Sequence, residues 1–441
     1  MDSGSSISII VLFHNNNHFS KCIHSIIKQF LTPDDEIIII NDHSSNEYES
    51  ELKTLMSYKC IRIYNSIEKT GNRSHNRNIG AKYSKNPILM FIDGDIYFPQ
   101  PILKYMREAL ILRNAVASFG NVYGHNYDET TLNALLGYDY LSCLFSKKGW
   151  KKLLDVPFMI DFRMKKDPIL LSGKWAWNYF YTSYCMINKD VFFKAGMFDE
   201  AFSEWGAEDV DLGFRLSKHG VLEYNQSLVA FHIPHQKNKI KNQINNFKNM
   251  YYMLSKYQSL EFEIKIAYDK SVYMLNALEE FLTYQRSIEI NCQEFPKQVN
   301  TLYYDVVSKS SPNGKVQFID KEGNLHSMEL LGLALPFSNK TFITAYIPYE
   351  IFLYPHTLIP RIFQEFLRVS KNVYIKKHNL PKRNAWNSSI INGFSKNSPF
   401  RDLYFVSKTL QDFCLSDMGD IIQIKAAFDF YKPGRDLFYE F

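Results

Sequence analysis

In the first hundred residues, short runs of β-branched and other apolar residues alternate with segments of helical spacing. This alternation restricts the fold more than any other feature of the chain. Ile7–Phe13 is an apolar run that reads as a buried strand. From Phe19, apolar residues recur at helical spacing (Cys22, Ile23, Ile26, Ile27, Phe30), and Leu31-Thr32-Pro33-Asp34-Asp35 ends that helix. Glu36–Ile40 reads as a second strand. After it come a helix at about Glu47–Met56, a strand at Ile61–Asn65, a helix at about Arg73–Ser84 and a strand at Ile88–Ile92. Strands alternating with helices predict βαβ units and a mostly parallel sheet. Ligands of such sheets bind beyond the carboxyl ends of the strands. Chemistry is therefore expected at the polar clusters His14–Asn17, Asn41–Ser45 and Asp93–Asp95.

Beyond residue 100 the pattern loosens. Pro101–Arg113 reads as a helix and is followed by an irregular, aromatic-rich stretch to about residue 170. Ile240 to about Tyr284 reads as one long helix, with no proline or glycine to interrupt it. From Pro296 the texture changes, with strand-like Val316–Ile319 and a turn at Asp320–Asn324. A length of 441 residues suits two domains or three small ones. The expected division is a nucleotide-binding α/β domain over 1–240, a helical connector over 241–290 and a smaller α/β or α+β accessory domain over 291–441.

Charge and cysteine usage exclude several classes. The 51 Lys and Arg against 46 Asp and Glu leave a net charge of +5, with no run of five or six like charges, so a nucleic-acid stripe is not expected. The six cysteines (Cys22, Cys60, Cys143, Cys185, Cys292, Cys414) are scattered without a CxxC, which argues against a disulfide scaffold or a zinc–thiolate cluster and fits a reducing compartment. No basic segment precedes the first apolar run, and no apolar run approaches the ~20 residues that span a bilayer. The expectation is a cytoplasmic protein without a signal peptide or a transmembrane segment.

Three constellations can carry chemistry. Asp93-Gly94-Asp95 follows an apolar strand, and two carboxylates around one small residue can hold a divalent cation that bridges phosphate oxygens. A bare pair of this kind is more often a solvated turn, and its position in the βαβ series is what raises it. Trp205-Gly206-Ala207-Glu208-Asp209 opens a helix whose Leu212 and Leu216 lie four apart on one face. Acidic residues favour helix N-termini in any protein. A carboxylate pair can also deprotonate and position an attacking hydroxyl, beside a tryptophan suited to stacking a sugar ring. His232-Ile233-Pro234-His235 places two histidines around a proline-rigid turn, a spacing that can close on a metal.

In this order, over about residues 5–250, these features resemble the inverting GT-A glycosyltransferases, family-2-like. Ser8–Asn15 resembles the family's first strand and nucleotide-facing loop. Asn41-Asp42-His43-Ser44-Ser45 is similar to its uracil- and ribose-contacting segment. Asn76-Arg77-Asn78-Ile79-Gly80 resembles the helix before its metal motif, and Asp93-Gly94-Asp95 stands where that motif sits. Phe198-Asp199-Glu200, with Trp205-Gly206-Ala207-Glu208-Asp209, Asp211-Leu212 and Arg215, resembles the acceptor signature of galactosyl- and N-acetylgalactosaminyl-transferases and of chondroitin-type polymerases.

The resemblance implies a Rossmann-like GT-A fold and transfer of a sugar from a nucleotide-sugar, of the UDP-galactose or UDP-GalNAc type, to a hydroxyl of a glycan or glycoconjugate. It implies Asp209 as catalytic base with Glu208 at the acceptor, and donor contacts from His14, Asp42, Arg77, Asp93 and Asp95. It further implies Mn2+ or Mg2+ held by Asp95, with Asp93 through water, and by His235, with His232 standing where the family carries Met, and acceptor contacts from Trp205 and Gly206. The aromatic stretch Trp175–Tyr184, Trp177 included, either lines the acceptor groove or belongs to the core. The alternative is a catalytically silent GT-A module serving as a binding or scaffold subunit, though such a module has no need to keep both carboxylate pairs. Leu335-Pro336-Phe337 and the later Glu365-(x2)-Arg368-Val369 faintly resemble the second half of a class I methyltransferase domain. No glycine-rich loop precedes them, so no functional S-adenosylmethionine site is expected.

Overall fold

Strand β1 (Ile7–Phe13) is buried along nearly its whole length, because both faces of its sheet are covered. In this computed structural model it is joined by β2 (Glu36–Asn41), β3 (Ile61–Asn65) and β4 (Ile88–Asp93), in the order β3-β2-β1-β4, all parallel. The connections are α1 (Phe19–Ile27), α2 (Glu49–Met56, preceded by a 3-10 turn at Asn46–Tyr48) and α3 (Arg73–Tyr83). One core forms where Ile7, Ile9 and Val11 meet Ile37, Ile39, Met90 and Ile92 beneath Phe19, Ile23 and Ile26. On the other face α3 lies directly on β1, where a Cβ on Gly80 would stand 2.4 Å from Cγ2 of Ile10.

The structure describes residues 6–29, 32–66, 71–125, 127–165, 175–202, 204–236, 238–267, 282, 286, 298–306, 312, 314–348, 351, 354, 358–376, 413–417 and 421–426. By compactness the chain divides into Met1–Asn246 and Phe247–Phe441. The first unit continues through β5 (Ile96–Tyr97), α4 (Leu103–Leu112) and β6 (Ala117–Tyr123). The stretch that reads as irregular contains three short helices, α5 (Glu129–Leu136), α6 (Tyr140–Phe145) and α7 (Gly149–Leu153). Asp128 and Asp139 cap the first two, accepting from the N–H groups of Thr131 and Ser142. β7 (Tyr184–Asn188), α8 (Lys189–Lys194), α9 (Glu208–Leu216) and β8 (Leu222–His232) follow. β7 runs antiparallel beside β4, and the sheet is completed in the order β7-β6-β8-β5.

The long helix expected from Ile240 is broken. α10 (Lys239–Tyr257) stops at Gln258, which takes a left-handed conformation (φ 45°), and α11 (Leu260–Ala267) restarts two residues later. No glycine or proline is needed, because the Tyr257 and Phe262 rings stack across the break at 5.1 Å. The rest of that expected helix, except residue 282, lies outside the described residues.

The second unit holds a seven-stranded sheet. β9 (Thr301–Asp305), β10 (Lys315–Ile319) and β11 (Leu325–Met328) form an antiparallel meander. β12 (Phe342–Pro348) and β13 (Ser370–Lys376) pair in parallel around α12 (Ile359–Val369), and β14 (Phe413–Asp417) and β15 (Ile421–Ala426) close the far edge antiparallel. The Leu-Pro-Phe and Glu-(x2)-Arg residues meet in a packing clamp. Arg368 donates to the carbonyls of Leu335 (2.8 Å) and Phe337 (2.6 Å), and Glu365 accepts from Leu335 N–H at 2.7 Å. Among the described residues, no helix is long and apolar enough to cross a membrane.

Candidate active site

The turn after β4 builds one half of the site. Asp93 ends the strand, and Gly94-Asp95 leads into β5. A Cβ on Gly94 would stand 2.4 Å from the Leu12 carbonyl oxygen, so a side chain there would push the turn off β1. β5 pairs antiparallel with the end of β8, setting Ile96 opposite His232, and Ile233 N–H donates to the Asp95 carbonyl at 2.7 Å. This register gathers three side chains remote in sequence. Asp95 Oδ2 lies 3.3 Å from His232 Nε2 and 3.2 Å from His235 Nε2, and one ligand atom from each residue falls within 4.8 Å of the others.

Burial alone would raise the Asp95 carboxyl, but the two imidazoles hold it well below the usual carboxylate range. One carboxylate oxygen with two imidazole nitrogens is a donor set that suits a first-row divalent cation such as Mn2+ better than Mg2+, which prefers oxygen. His232 is buried and His235 exposed. Behind them the Tyr140 hydroxyl donates to the His232 carbonyl at 3.1 Å, and the His125 ring packs against that of His232 at 5.2 Å.

Asp93 stands outside that cluster. Its Oδ1 accepts from Arg77 Nη2 at 2.8 Å, while Arg77 Nη1 donates to Glu208 Oε1 at 3.2 Å. Arg77 is buried, which by itself would lower its pKa, but the two carboxylates raise it and keep the guanidinium charged. α3 thus joins the turn after β4 to the start of α9.

The second half of the site is the sharp entry into α9. Gly206 (φ 107°) and Ala207 (φ 66°) both lie in the left-handed region, which folds the Glu208 side chain back onto Gly206 N–H at 3.2 Å. Glu208 is buried and Asp209 partly buried. Burial first, and then the neighbouring Glu208 carboxylate, push the Asp209 carboxyl up to about 7. A carboxylate of that affinity is matched to taking a proton near neutral pH.

The remainder of the signature is scaffolding. Asp211 accepts from Arg215 Nε at 2.9 Å, and Arg215 Nη1 holds the carbonyls of Ala195 (2.5 Å) and Met197 (2.6 Å). Asn78 exchanges two hydrogen bonds with the Phe198 backbone at 2.8 and 2.9 Å, and its Nδ2 also donates to Glu200. Asn78 stood in the Asn-Arg-Asn-Ile-Gly motif and was legible there. Tyr140 left no signal, since it reaches His232 from 92 residues away.

His14 and Asp42 meet at the carboxyl ends of β1 and β2, where His14 Nδ1 lies 2.7 Å from the Asp42 carbonyl and Asp42 Oδ2 accepts from Gly71 N–H at 3.0 Å. Trp205 is 37% exposed beside the start of α9. Trp177, expected at the acceptor face, is only 2% exposed and packs edge-on against Phe214 at 5.2 Å, so it buttresses α9 from within the core.

Residues 8–192 match the family model described as glycosyl transferase family 2. The chain is 25% identical to the validoxylamine A glucosyltransferase of Streptomyces hygroscopicus subsp. limoneus over 241 residues, 52% of each protein. It is 26% identical to N-acetylgalactosaminyltransferase 6 of Drosophila melanogaster over 226 residues, 48% of this chain and 31% of that one. Among solved structures it is similar to GalNAc-T7 with UDP, GalNAc and Mn2+, at 16% identity, with 61% of this chain and 51% of that one covered and a TM-score of 0.41. The chain spans about half or less of the length of these curated relatives.

Proposed function

We propose that this chain, whose residues 8–192 match the glycosyl transferase family 2 model, is a metal-dependent inverting glycosyltransferase that moves a hexosyl group from a nucleotide-sugar to an acceptor hydroxyl. The observation that carries this reading is the Arg77 bridge, which links the turn bearing Asp93 and Asp95 to the helix start bearing Glu208 and Asp209. The two relatives are named for glucosyl and N-acetylgalactosaminyl transfer, which supports a hexosyl donor. The Trp-Gly-Ala-Glu-Asp segment favours the galactose or GalNAc type, linked to UDP.

Asp95, His232 and His235 would hold the divalent cation, which when bound supplies positive charge to the departing diphosphate. His14 and Asp42, at the ends of the adjacent strands β1 and β2, are placed to bind the nucleoside. Asp209 accepts the proton of the attacking hydroxyl, and an in-line displacement by that oxygen inverts the anomeric carbon. Glu208, held by Arg77 and Gly206 N–H, keeps a second carboxylate beside the base, where it raises the proton affinity of Asp209 and orients the acceptor. Trp205 offers its exposed ring to a sugar face. The second unit is proposed as an accessory domain whose methyltransferase-like residues serve packing.

Thermal shift with UDP and Mn2+, followed by a screen of nucleotide-sugars for transfer, tests the proposal. Stabilisation by UDP that requires the metal, with turnover of at least one donor, is expected. UDP with Mn2+ leaving the melting temperature unmoved would count against it.

A further inference from the structure

The segment Lys147-Lys148-Gly149-Trp150-Lys151-Lys152 carries four lysines in six residues, and the fold brings a fifth beside it. Lys147, Lys148, Lys151 and Lys152 surround the entry to α7, all exposed, and Lys21 of α1 joins them with its Nζ 4.0 Å from the centroid of the Phe145 ring. Among the described residues none of these five lysines takes part in an ion pair, unlike Lys53 with Glu49 and Lys104 with Glu108. From Asp128 to Asp155 the acidic side chains are Asp128 and Asp139, engaged in capping α5 and α6 through Thr131 and Ser142 N–H, Glu129 in the first turn of α5, and Asp155 beyond α7, so the positive charge is local to the turn at residues 147–152.

The end of α5 and the turn between α5 and α6 expose large apolar side chains. Leu135 is 52% exposed and Tyr138 42%. Tyr138 stands beside the lysine turn: the Cys143 thiol next to its hydroxyl donates to the Gly149 carbonyl at 3.4 Å. Trp150, partly buried against the core, sits between Lys148 and Lys151 in sequence, with its ring 5.7 Å from Lys151 Nζ.

Lysines outside any ion pair, beside exposed Tyr138 and Leu135 and a partly buried tryptophan, suit the boundary of a bilayer, where ammonium groups meet lipid phosphates and amphipathic rings sit at headgroup level. A soluble polyanion would use the lysines but give Leu135 and Tyr138 no role. We propose that the α5–α7 face docks this domain peripherally on an anionic membrane surface. The patch is close to the site already described. The Phe145 ring packs edge-on against Tyr97 at 5.1 Å, and Tyr97 pairs with Phe231, the neighbour of His232.

The test is co-sedimentation of the full chain with phosphatidylcholine vesicles made with and without phosphatidylglycerol. Binding to the anionic vesicles alone, weakened by salt, is expected, with each lysine contributing about fivefold. The double variant Lys148→Glu/Lys151→Glu should bind at least about tenfold more weakly. Leu135→Ser/Tyr138→Ser should bind severalfold more weakly with its salt dependence retained. All four positions are exposed, and circular dichroism together with the UDP and Mn2+ thermal shift confirms that the variants are folded. Equal binding to both vesicle types, or no binding to either, overturns the proposal for the unaltered chain. Loss in the lysine variant with none in the Leu135/Tyr138 variant would mark a soluble polyanion as the partner and overturn it as well.

Discussion

Arg77 reaches Glu208 across 131 residues of sequence, with its Nη1 3.2 Å from Oε1 and both side chains almost fully buried. The contact is local in space and remote in the chain. It ties the helix that packs on β1 to the helix that presents the candidate base.

The first prediction concerns this bridge. Arg77→Met should remove the positive charge that two carboxylates share and cost about 3–5 kcal/mol of stability, because Glu208 is left buried and unpaired. Arg77→Lys should recover only part of the loss, since one ammonium cannot reproduce the guanidinium's separate contacts with Asp93 and Glu208. Urea denaturation of the three proteins measures this, and a stability equal to the parent's in Arg77→Met would deny the bridge its role.

The second prediction is a pH profile. An essential carboxylate with an affinity near 7 must be ionised to accept a proton, so kcat/KM should rise with pH and reach half its plateau at about pH 7. Glu208→Gln removes the like charge beside Asp209, and the acid limb should move to lower pH. Asp209→Asn should lower turnover by about 10²–10⁴-fold with UDP binding nearly unchanged. A limb that stays in place in Glu208→Gln would show that the titrating group is another one.

The third prediction concerns the metal. EDTA should abolish transfer, with Mn2+ restoring it more fully than Mg2+ because two of the three donors are imidazoles. His235→Ala should weaken Mn2+ binding, read by calorimetry, without lowering the metal-free melting temperature, since that ring is 50% exposed. His232→Ala should weaken Mn2+ binding and also lower the metal-free melting temperature, because its ring is buried. Full Mn2+ affinity in both variants would place the ion elsewhere.

The fourth prediction is conformational. At Gly206 a methyl group would meet Asn246 Oδ1 at 2.8 Å and its Cα at 3.1 Å, at a φ of 107° that side chains rarely adopt. Gly206→Ala should therefore cost about 1–3 kcal/mol and displace the turn that orients Glu208, lowering kcat more than donor affinity. Kinetics with the donor varied at saturating acceptor separates the two effects.

Local periodicity was enough to read β1 to β4 with their connecting helices, because each short apolar run must be buried and each helix must turn one stripe inward. The polar clusters at the strand ends were legible for the same reason. Residue order put Asp95 on the metal and Asp93 behind a water, but it could not fix the partners that separate the two carboxylates. Asp93 and Asp95 are chemically alike and two residues apart, and only the pairing of β5 with β8 directs Asp95 to the histidines while Arg77 takes Asp93. It also offered Trp177 for the acceptor face, but a tryptophan packed behind a helix and one lining a groove have the same sequence. The break at Gln258 carried no glycine or proline, since its stacked rings compensate for the interrupted helix. What could be read from residue order was governed by burial of nearby apolar side chains. What could not was governed by strand register and by charge pairs that close over distances no local pattern records.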